Sequence, residues 1–320
     1  MYTQPVAAIT NPRTSCPHLE ALVPFETRFS GQIVNGAVLT LSSTDALLLS
    51  GCSIPANVIL SRIEIVAGAK LVFNDQDISF SIGEISIASG GSLHAGSETC
   101  RLYSKISIQF VGSKGASSPV VSTATSKGII SSGTLSLHGK QYNPTWTRLA
   151  VAAKAGDSTL VLQDPVNWEV GQRILVTTSS FFDCPTKYAQ WCAPCKPWEL
   201  SNNNAKCKIP TYYPHQNEVR TITAISSGGT YRGFAIQLDS PLVYGHYAGL
   251  EYQSEVALLS RRINFAGEQT NDNFGGHVMC QGSTALCQIS GVAADNMGQL
   301  NVLGRYPFHA HLVIDCDYCY

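Results

Sequence analysis

The sequence predicts an all-β fold, and three observations support this class. Short runs in which apolar and polar residues alternate recur along the chain, and this period of two is typical of half-buried strands. Glycines and Asn-Asp turns separate the runs at intervals of roughly ten residues. Helical periodicity is nearly absent, and only residues 150–155 indicate a short turn of helix. Apolar residues make up 44% of the 320 residues, which is enough for the core of one large domain or two smaller ones.

The predicted strands follow one another in two groups. The first group lies at residues 63–66, 71–73, 78–82, 85–87 and 106–110. A turn is predicted at Gly83, between the third and fourth of these strands. The second group lies at residues 160–162, 173–176, 218–222 and 234–238. The recurrent Ile-x-Ile pattern suits strands stacked as rungs of a β-helix, and a β-sandwich also fits the spacing.

Charge and cysteine content restrict the class of protein. Charged residues make up 13% of the chain, the net charge is −1, and no basic cluster is present, so we expect no nucleic-acid partner. No stretch approaches eighteen consecutive apolar residues, so we expect no membrane insertion within this segment. Eleven cysteines, with close pairs such as Cys280 and Cys287, indicate disulfide-closed loops and an oxidising compartment. The odd number leaves one thiol free or paired outside the segment.

Two segments carry metal-ligand chemistry, although we expect no cofactor. Residues 191–196 have the spacing of a thioredoxin-type redox motif, but no strand-to-helix pattern surrounds them. Zinc is an alternative there, because a tetrahedral site could take four thiolates, while two loop-closing disulfides are the simpler interpretation. The four cysteines are Cys184, Cys192, Cys195 and Cys207. Residues 271–273, Asn-Asp-Asn, cluster oxygen ligands for calcium, and a turn explains them equally simply.

The most distinctive motif is residues 304–311, in which Arg305, His309 and His311 fall at even spacing in a strand-like run. Because side chains alternate in a strand, these three are predicted to share one face. An arginine pairs with the carboxylate of an acidic polysaccharide, and a histidine with a pKa of about 6.5 can move protons. The alternative is a structural stack in which the polar groups satisfy one another.

His277 and Asp315 are the predicted neighbours of this motif if rungs stack in register. Glycoside hydrolysis usually needs two carboxyl groups that flank the scissile bond. The sequence offers Glu98, Asp295, Asp315 and Asp317 without any pattern that pairs them. We expect a further set of side chains to pack rather than to contact a ligand: His138, Trp146 and Trp168.

Several strings in a fixed order resemble a known pair of domains. The first set is IASGGSLHAGSE at 87–98, GTLSLHG at 133–139, WTRL at 146–149 and DPVNWEVG at 164–171. This order resembles the G8 domain, a glycine-rich extracellular β module. The second set is EVALLSR at 255–261, FGGHV at 274–278 and GRYPFHAH at 304–311. It resembles the parallel β-helix that follows G8 in fibrocystin-like proteins and in the cell-migration-inducing hyaluronidase family.

The strand pattern along the chain, together with the resemblance, predicts an order of domains. Residues 1–45 form an N-terminal lead-in of uncertain structure, and residues 46–180 form the G8-like module. A cysteine-rich insertion follows at 181–216, and residues 217–320 begin a right-handed parallel β-helix. The resemblance also implies an extracellular or cell-surface location, within a longer chain that is secreted or membrane-anchored and binds a protein or glycan.

Two functions follow from the resemblance. The favoured one is a non-catalytic adhesive or receptor scaffold, because the strings at 137–139, 146–149 and 164–168 are nearer to the fibrocystin-like pattern and no carboxylate pair is evident. The alternative is an enzyme that depolymerises hyaluronan-type polysaccharides. Its candidate site residues are Arg305, His309, His311, His277 and Asp315.

Overall fold

The computed structural model describes residues 13–114, 126–178, 216–227, 234–313 and 319. Within these residues, the only helical elements are a 3-10 turn, Pro17–Leu19, and the one-turn helix α1, Phe25–Arg28. The predicted all-β class is confirmed. The chain divides into two compact units. The parallel unit comprises Ile9–Gln141 and Arg261–Tyr320, and the antiparallel unit comprises Tyr142–Ser260.

The strands are numbered in chain order. The parallel unit begins with β1 (Val23–Pro24), β2 (Val38–Leu41), β3 (Ala46–Leu49), β4 (Ile59–Ile65), β5 (Lys70–Phe73), β6 (Ile78–Ile87), β7 (Ser92–Ala95), β8 (Ile106–Phe110), β9 (Gly128–Ser131) and β10 (Thr134–His138). The antiparallel unit contains β11 (Trp146–Arg148), β12 (Thr159–Leu162), β13 (Arg173–Val176), β14 (Glu218–Ser227), β15 (Phe234–Leu238) and β16 (Glu255–Leu258). The parallel unit then resumes with β17 (Ile263–Gly267), β18 (His277–Gln281), β19 (Leu286–Ser290), β20 (Val292–Asp295) and β21 (Phe308–His311).

The parallel unit is a stack of coils in which the chain passes repeatedly between two parallel sheets. One sheet has the order β1-β3-β5-β7-β10-β19, and the other runs β20-β17-β8-β6-β9-β18-β21, with β4 also beside β6 and β2 beside β4. Register places like residues above one another, as in the column Leu47, Leu71, Leu93 and Leu135. These side chains are buried because every second residue of a strand faces the core. The stacked rungs predicted from the Ile-x-Ile pattern are confirmed, and the right hand of the coil stays a prediction.

Two local predictions are wrong. Gly83 does not form a turn but lies within β6, because the first half of this strand pairs with β8 and the second half with β9. Residues 150–155 form no helical turn. Ala153 instead makes an antiparallel bridge to His246, with its N–H 2.9 Å from the His246 carbonyl oxygen.

The antiparallel unit is a six-stranded sheet with the order β11-β16-β13-β14-β15-β12. Its two edges meet, because the Ala150 N–H donates to the Val161 carbonyl (2.8 Å) and the Gln163 N–H donates to the Arg148 carbonyl (2.8 Å). Such closure removes exposed strand edges and encloses a core. The unit has a hydrophobic cluster separate from that of the parallel unit. The domain boundaries proposed from the resemblance stay a prediction.

Disulfides close both a long and a short loop. Cys16 is bonded to Cys100, and Cys280 is bonded to Cys287, as the sequence predicts for the second pair. Among the described residues, Cys52 is an exposed free thiol. No helix in the described ranges has the length and apolar character needed to cross a membrane.

Candidate functional site

Parallel stacking brings part of the predicted site together. Strand β21 lies beside β18 with Met279 opposite His309 and Gln281 opposite His311. His277 therefore begins the strand next to the one that carries the two predicted histidines. An N–H of the Arg305 guanidinium donates to Nε2 of His277. Asp315 lies outside the described residues.

The predicted strand geometry is wrong for Arg305. The strand begins at Phe308, and Arg305 lies in the preceding turn, where its carbonyl accepts from the Gln299 N–H (2.8 Å) and its own N–H donates to Val302 (3.2 Å). Gly304 has a φ of +79°, a left-handed conformation that few other residues adopt. Arg305 therefore reaches inward to His277 rather than sharing a face with the two histidines.

His309 and His311 lie on the same side of β21, as alternation predicts. Their rings pack edge to face with centroids 5.3 Å apart, and Tyr306 packs on His309 at 5.1 Å. The Nδ1 of His309 lies 2.6 Å from the Gly304 carbonyl oxygen, so Nδ1 carries the proton and Nε2 is left as an acceptor. His309 is half-buried and His311 is exposed. The pair forms a partly open row of aromatic and imidazole rings.

His277 is fully buried and neutral. Burial is the main cause that lowers its pKa to about 4, and the Arg305 cation lowers the pKa further, against the opposing effect of backbone hydrogen bonds to Ser126 and Lys127. Because Nε2 accepts the guanidinium N–H, Nδ1 carries the ring proton. Gln299 lies beside the ring, and its side-chain nitrogen donates to the Ser126 carbonyl (2.8 Å). These contacts tie the turn before β21 to the coil beneath it.

Lys127 is a site neighbour that sequence reasoning missed. Its side chain is buried, and Nζ donates to the carbonyl oxygens of Glu268 (2.7 Å) and Phe274 (2.5 Å). Burial lowers the pKa of Lys127, although Glu268 and Asp272 act in the opposite direction. No motif marks this lysine, but the following Gly128 is a signal. A Cβ there would collide with the His277 carbonyl, so the coils can approach this closely only at glycine.

The predicted carboxylates occupy separate places in the fold. Glu98 is exposed in the turn between Ser97 and Cys100. Asp295 is exposed at the end of β20. Asp317 lies outside the described residues, as do the predicted zinc ligands and the redox-like string. Those ligands are Cys184, Cys192, Cys195 and Cys207.

Residues 271–273, the predicted calcium ligands, lie in a tight turn. Asn273 has a φ of +53°, and the Phe274 N–H donates to the Thr270 hydroxyl (2.9 Å) and to Asp272 Oδ1 (3.3 Å). Asx chemistry of this kind stabilises a turn without a metal. The calcium site stays a prediction.

The packing predictions hold for two of the three side chains. His138 is fully buried, and Trp168 is buried with its indole N–H donating to the Pro144 carbonyl (2.8 Å). The prediction is wrong for Trp146, which is 50% exposed on an outer face of β11 with the Arg148 guanidinium 5.7 Å from its ring.

Stacked parallel coils with glycine-dependent contacts define a protein of the β-helix class. Residues 30–150 match the G8 domain, and residues 273–320 match the CEMIP beta-helix. The chain therefore combines a G8 domain with a CEMIP-type β-helix segment, as the resemblance implies.

Curated proteins similar to this chain include relatives in two organisms. A G8 domain-containing protein of Dictyostelium discoideum is 39% identical over 279 residues, which cover 86% of this chain and 16% of the relative. Communication mutant protein F of the same organism is 35% identical over 319 residues, covering 96% of this chain and 25% of the relative. Human fibrocystin-L is 26% identical over 306 residues, covering 80% of this chain and 6% of the relative. The chain thus spans a quarter or less of the length of these relatives.

Proposed function

We propose that this chain is a non-catalytic segment of an extracellular or cell-surface protein and serves as a rigid scaffold that binds a partner. One observation carries the proposal. The two groups best suited to acid/base or carboxylate chemistry, His277 and Arg305, are hydrogen-bonded to each other. His277 is fully buried, has a pKa of about 4 and accepts a hydrogen bond from Arg305. A histidine that stays neutral and enclosed at neutral pH does not exchange protons with a polysaccharide.

The extracellular setting rests on the disulfides and on the relatives. Two disulfides close loops of very different length, and such bonds persist in oxidising compartments. The similarity to human fibrocystin-L over 80% of this chain supports the same setting.

The partly open ring row at Tyr306, His309 and His311 is the proposed contact surface for a protein or glycan partner. Tyr306 is 49% exposed, and His311 is exposed beside it. Aromatic rings offer apolar faces together with polar edges, which suits recognition of proteins and sugars. The Nε2 of His309 adds an acceptor.

The alternative function is depolymerisation of a hyaluronan-type polysaccharide. It is favoured by the match of residues 273–320 to the CEMIP beta-helix, because that range contains Arg305 and all three histidines of the site. In this case His309, with its free Nε2, would be the proton-transfer group rather than the enclosed His277.

Size-defined hyaluronan incubated with the purified protein tests the proposal. We expect the length distribution of the hyaluronan to stay unchanged at neutral pH. The histidine of the site that is paired with an arginine is not accessible, and the accessible histidines are not paired with an arginine. Gln109→Ala, an exposed change on β8, is the matched control for His309→Ala and His311→Ala.

Two results would overturn the non-catalytic scaffold. Shortening that persists in Gln109→Ala and is lost in His309→Ala would show an enzyme that uses the ring row. Shortening that survives both histidine changes would show an enzyme whose site lies elsewhere.

A further inference from the structure

The disulfide Cys16–Cys100 has a third metal-ligating side chain next to it. A ring nitrogen of His18 and the sulfur atoms of Cys16 and Cys100 all lie within 4.8 Å of one another. His18 belongs to the 3-10 turn Pro17–Leu19 and is only 8% exposed. Two cysteine sulfurs and one imidazole are a common set of protein ligands for zinc. Within the described ranges this is the only group of three such ligands.

The imidazole of His18 carries an unsatisfied buried atom. Its Nδ1 has no hydrogen-bond partner among the described residues, whereas Nδ1 of His309 and of His246 each lie within 2.9 Å of a backbone carbonyl oxygen. A buried polar nitrogen without a partner costs free energy, so its retention calls for an explanation. Burial is the main cause that lowers the pKa of His18; Asp75 opposes it and Arg13 adds to it.

The surrounding contacts hold the three ligands together without help from the sulfur–sulfur bond. Arg13 forms an ion pair with Asp75 at 2.6 Å and bridges to the strand-like backbone at Cys100. The Thr14 N–H donates to the Thr99 carbonyl (2.8 Å), and the Thr99 hydroxyl donates to the Thr14 carbonyl (3.0 Å). Opening the disulfide would leave this backbone pairing in place and the two sulfurs within reach of His18.

We propose that Cys16, His18 and Cys100 form a thiol-gated zinc site, closed by the disulfide and opened by reduction. Two molecules of a monothiol reductant such as glutathione supply two electrons and two protons. They leave as one glutathione disulfide, and the protein gains two cysteine thiols. Each thiol then loses a proton to solvent, and the two thiolates bind Zn²⁺ together with the neutral His18 nitrogen and one water. The metal takes over the cross-link between the N-terminal segment and the coil.

Cobalt and zinc titration of the reduced protein tests this site. The full chain is reduced with a phosphine, freed of reductant under anaerobic conditions and titrated with Co²⁺, and thiolate-to-cobalt absorption is followed. Zinc per chain is then counted by native mass spectrometry. Wild type is compared with His18→Ala and His18→Gln, and circular dichroism checks that each variant keeps its strand content. The matched control is the double change Cys280→Ser and Cys287→Ser, which removes a different disulfide and leaves His18 and its two cysteine neighbours unchanged.

We expect both His18 variants to bind one metal ion per chain fewer than wild type, and the addition of His18→Ala to the control to remove one ion there as well. The difference is the readout, because cysteines elsewhere in the reduced chain also bind metal. Equal metal binding by wild type and the His18 variants would overturn the proposal. So would equal binding before and after reduction, or no binding at all.

Discussion

The parallel and antiparallel units surround their buried histidines in different ways. In the parallel unit, the buried His138 and His277 and the half-buried His94 each have a pKa lowered to about 4, chiefly by burial. The antiparallel unit encloses charges, with Glu218 only 4% exposed between Arg220 and His246. The chain thus accommodates buried ionisable side chains in two ways: as a neutral histidine, or as a carboxylate surrounded by donors.

The carboxylate of Glu218 is satisfied on all sides. Its Oε1 accepts from His246 Nε2 (3.0 Å) and from the Tyr244 N–H (2.9 Å), and its Oε2 accepts from Arg220 and from the Val243 N–H (2.8 Å). Burial alone would raise the pKa of Glu218. The hydrogen bonds from Val243, Tyr244 and His246, together with the Arg220 cation, lower the pKa overall.

The difference follows from where backbone N–H groups are available. In the stacked coils most strand N–H groups pair with the rung above or below, and the buried rings of His138 and His277 contact the Ser136 hydroxyl and the Arg305 guanidinium. The loop at Val243 and Tyr244 has N–H groups outside any ladder, and these can surround a carboxylate. Backbone N–H groups outside the ladders therefore support buried carboxylates, and the Ser126 N–H does the same for the buried Glu84 of the parallel unit (2.6 Å).

The largest predicted effect is acid destabilisation confined to the parallel unit. Each of the three histidines has a folded-state pKa below the ordinary 6.5, so the unfolded chain binds protons first as the pH falls. Their contribution is complete above pH 6.5 and is lost as the pH falls toward 4. At pH 5 the loss is on the order of 2 kcal/mol per histidine. Glu218 has a lowered pKa, so its contribution is retained above 4.5 and lost only below it.

Hydrogen exchange with mass-spectrometric detection at pH 7.5 and pH 5, corrected for intrinsic rates, separates the two units. We expect faster opening at pH 5 in peptides from 59–110 and 263–295, with little change in 146–176 and 255–258. The variant His277→Gln, which removes one titrating group, should show a smaller response to acid. Equal acid sensitivity of both units would contradict the comparison.

A smaller effect is expected from Glu218→Ala in the antiparallel unit. The change leaves the Arg220 cation and two backbone N–H groups without their buried acceptor, and breaking such a pair costs about 3 to 5 kcal/mol. The free energy of unfolding from urea denaturation measures the loss. Glu255→Ala, an exposed glutamate on β16, is the control and should change stability by less than about 0.5 kcal/mol. If the two variants lost equal stability, the buried cluster would not stabilise this unit.

Much of the fold could be predicted because strand alternation is a local signal. The stacked pairs Ile63 with Ile85 and Ile65 with Ile87 are visible as alternating apolar residues in the sequence. The direction of pairing is not local, so nothing in the similar alternation of residues 173–176 marks that strand as antiparallel. Gly83 shows the same limit, because whether a glycine turns or stays in a strand depends on the neighbouring coils.

The candidate site could be predicted only in part. The even spacing of His309 and His311 correctly places them on one face, but the partner of Arg305 lies 28 residues away and depends on the turn at Gly304. The cluster of His18 with two cysteines could not be predicted, because the two cysteines are separated by 84 residues. Side chains that meet through stacking or through a disulfide leave no pattern within a short window of sequence.

The titration of His277 tests most directly whether this site is structural. Selective ¹⁵N labelling of histidine, with His277→Gln to assign its signal, reports both the protonated ring nitrogen and the pKa by NMR. We predict a neutral ring protonated at Nδ1 at pH 7, with a pKa of about 4. A pKa at or above 6.5, or a ring protonated at Nε2, would contradict the account and return this histidine to the candidates for proton transfer.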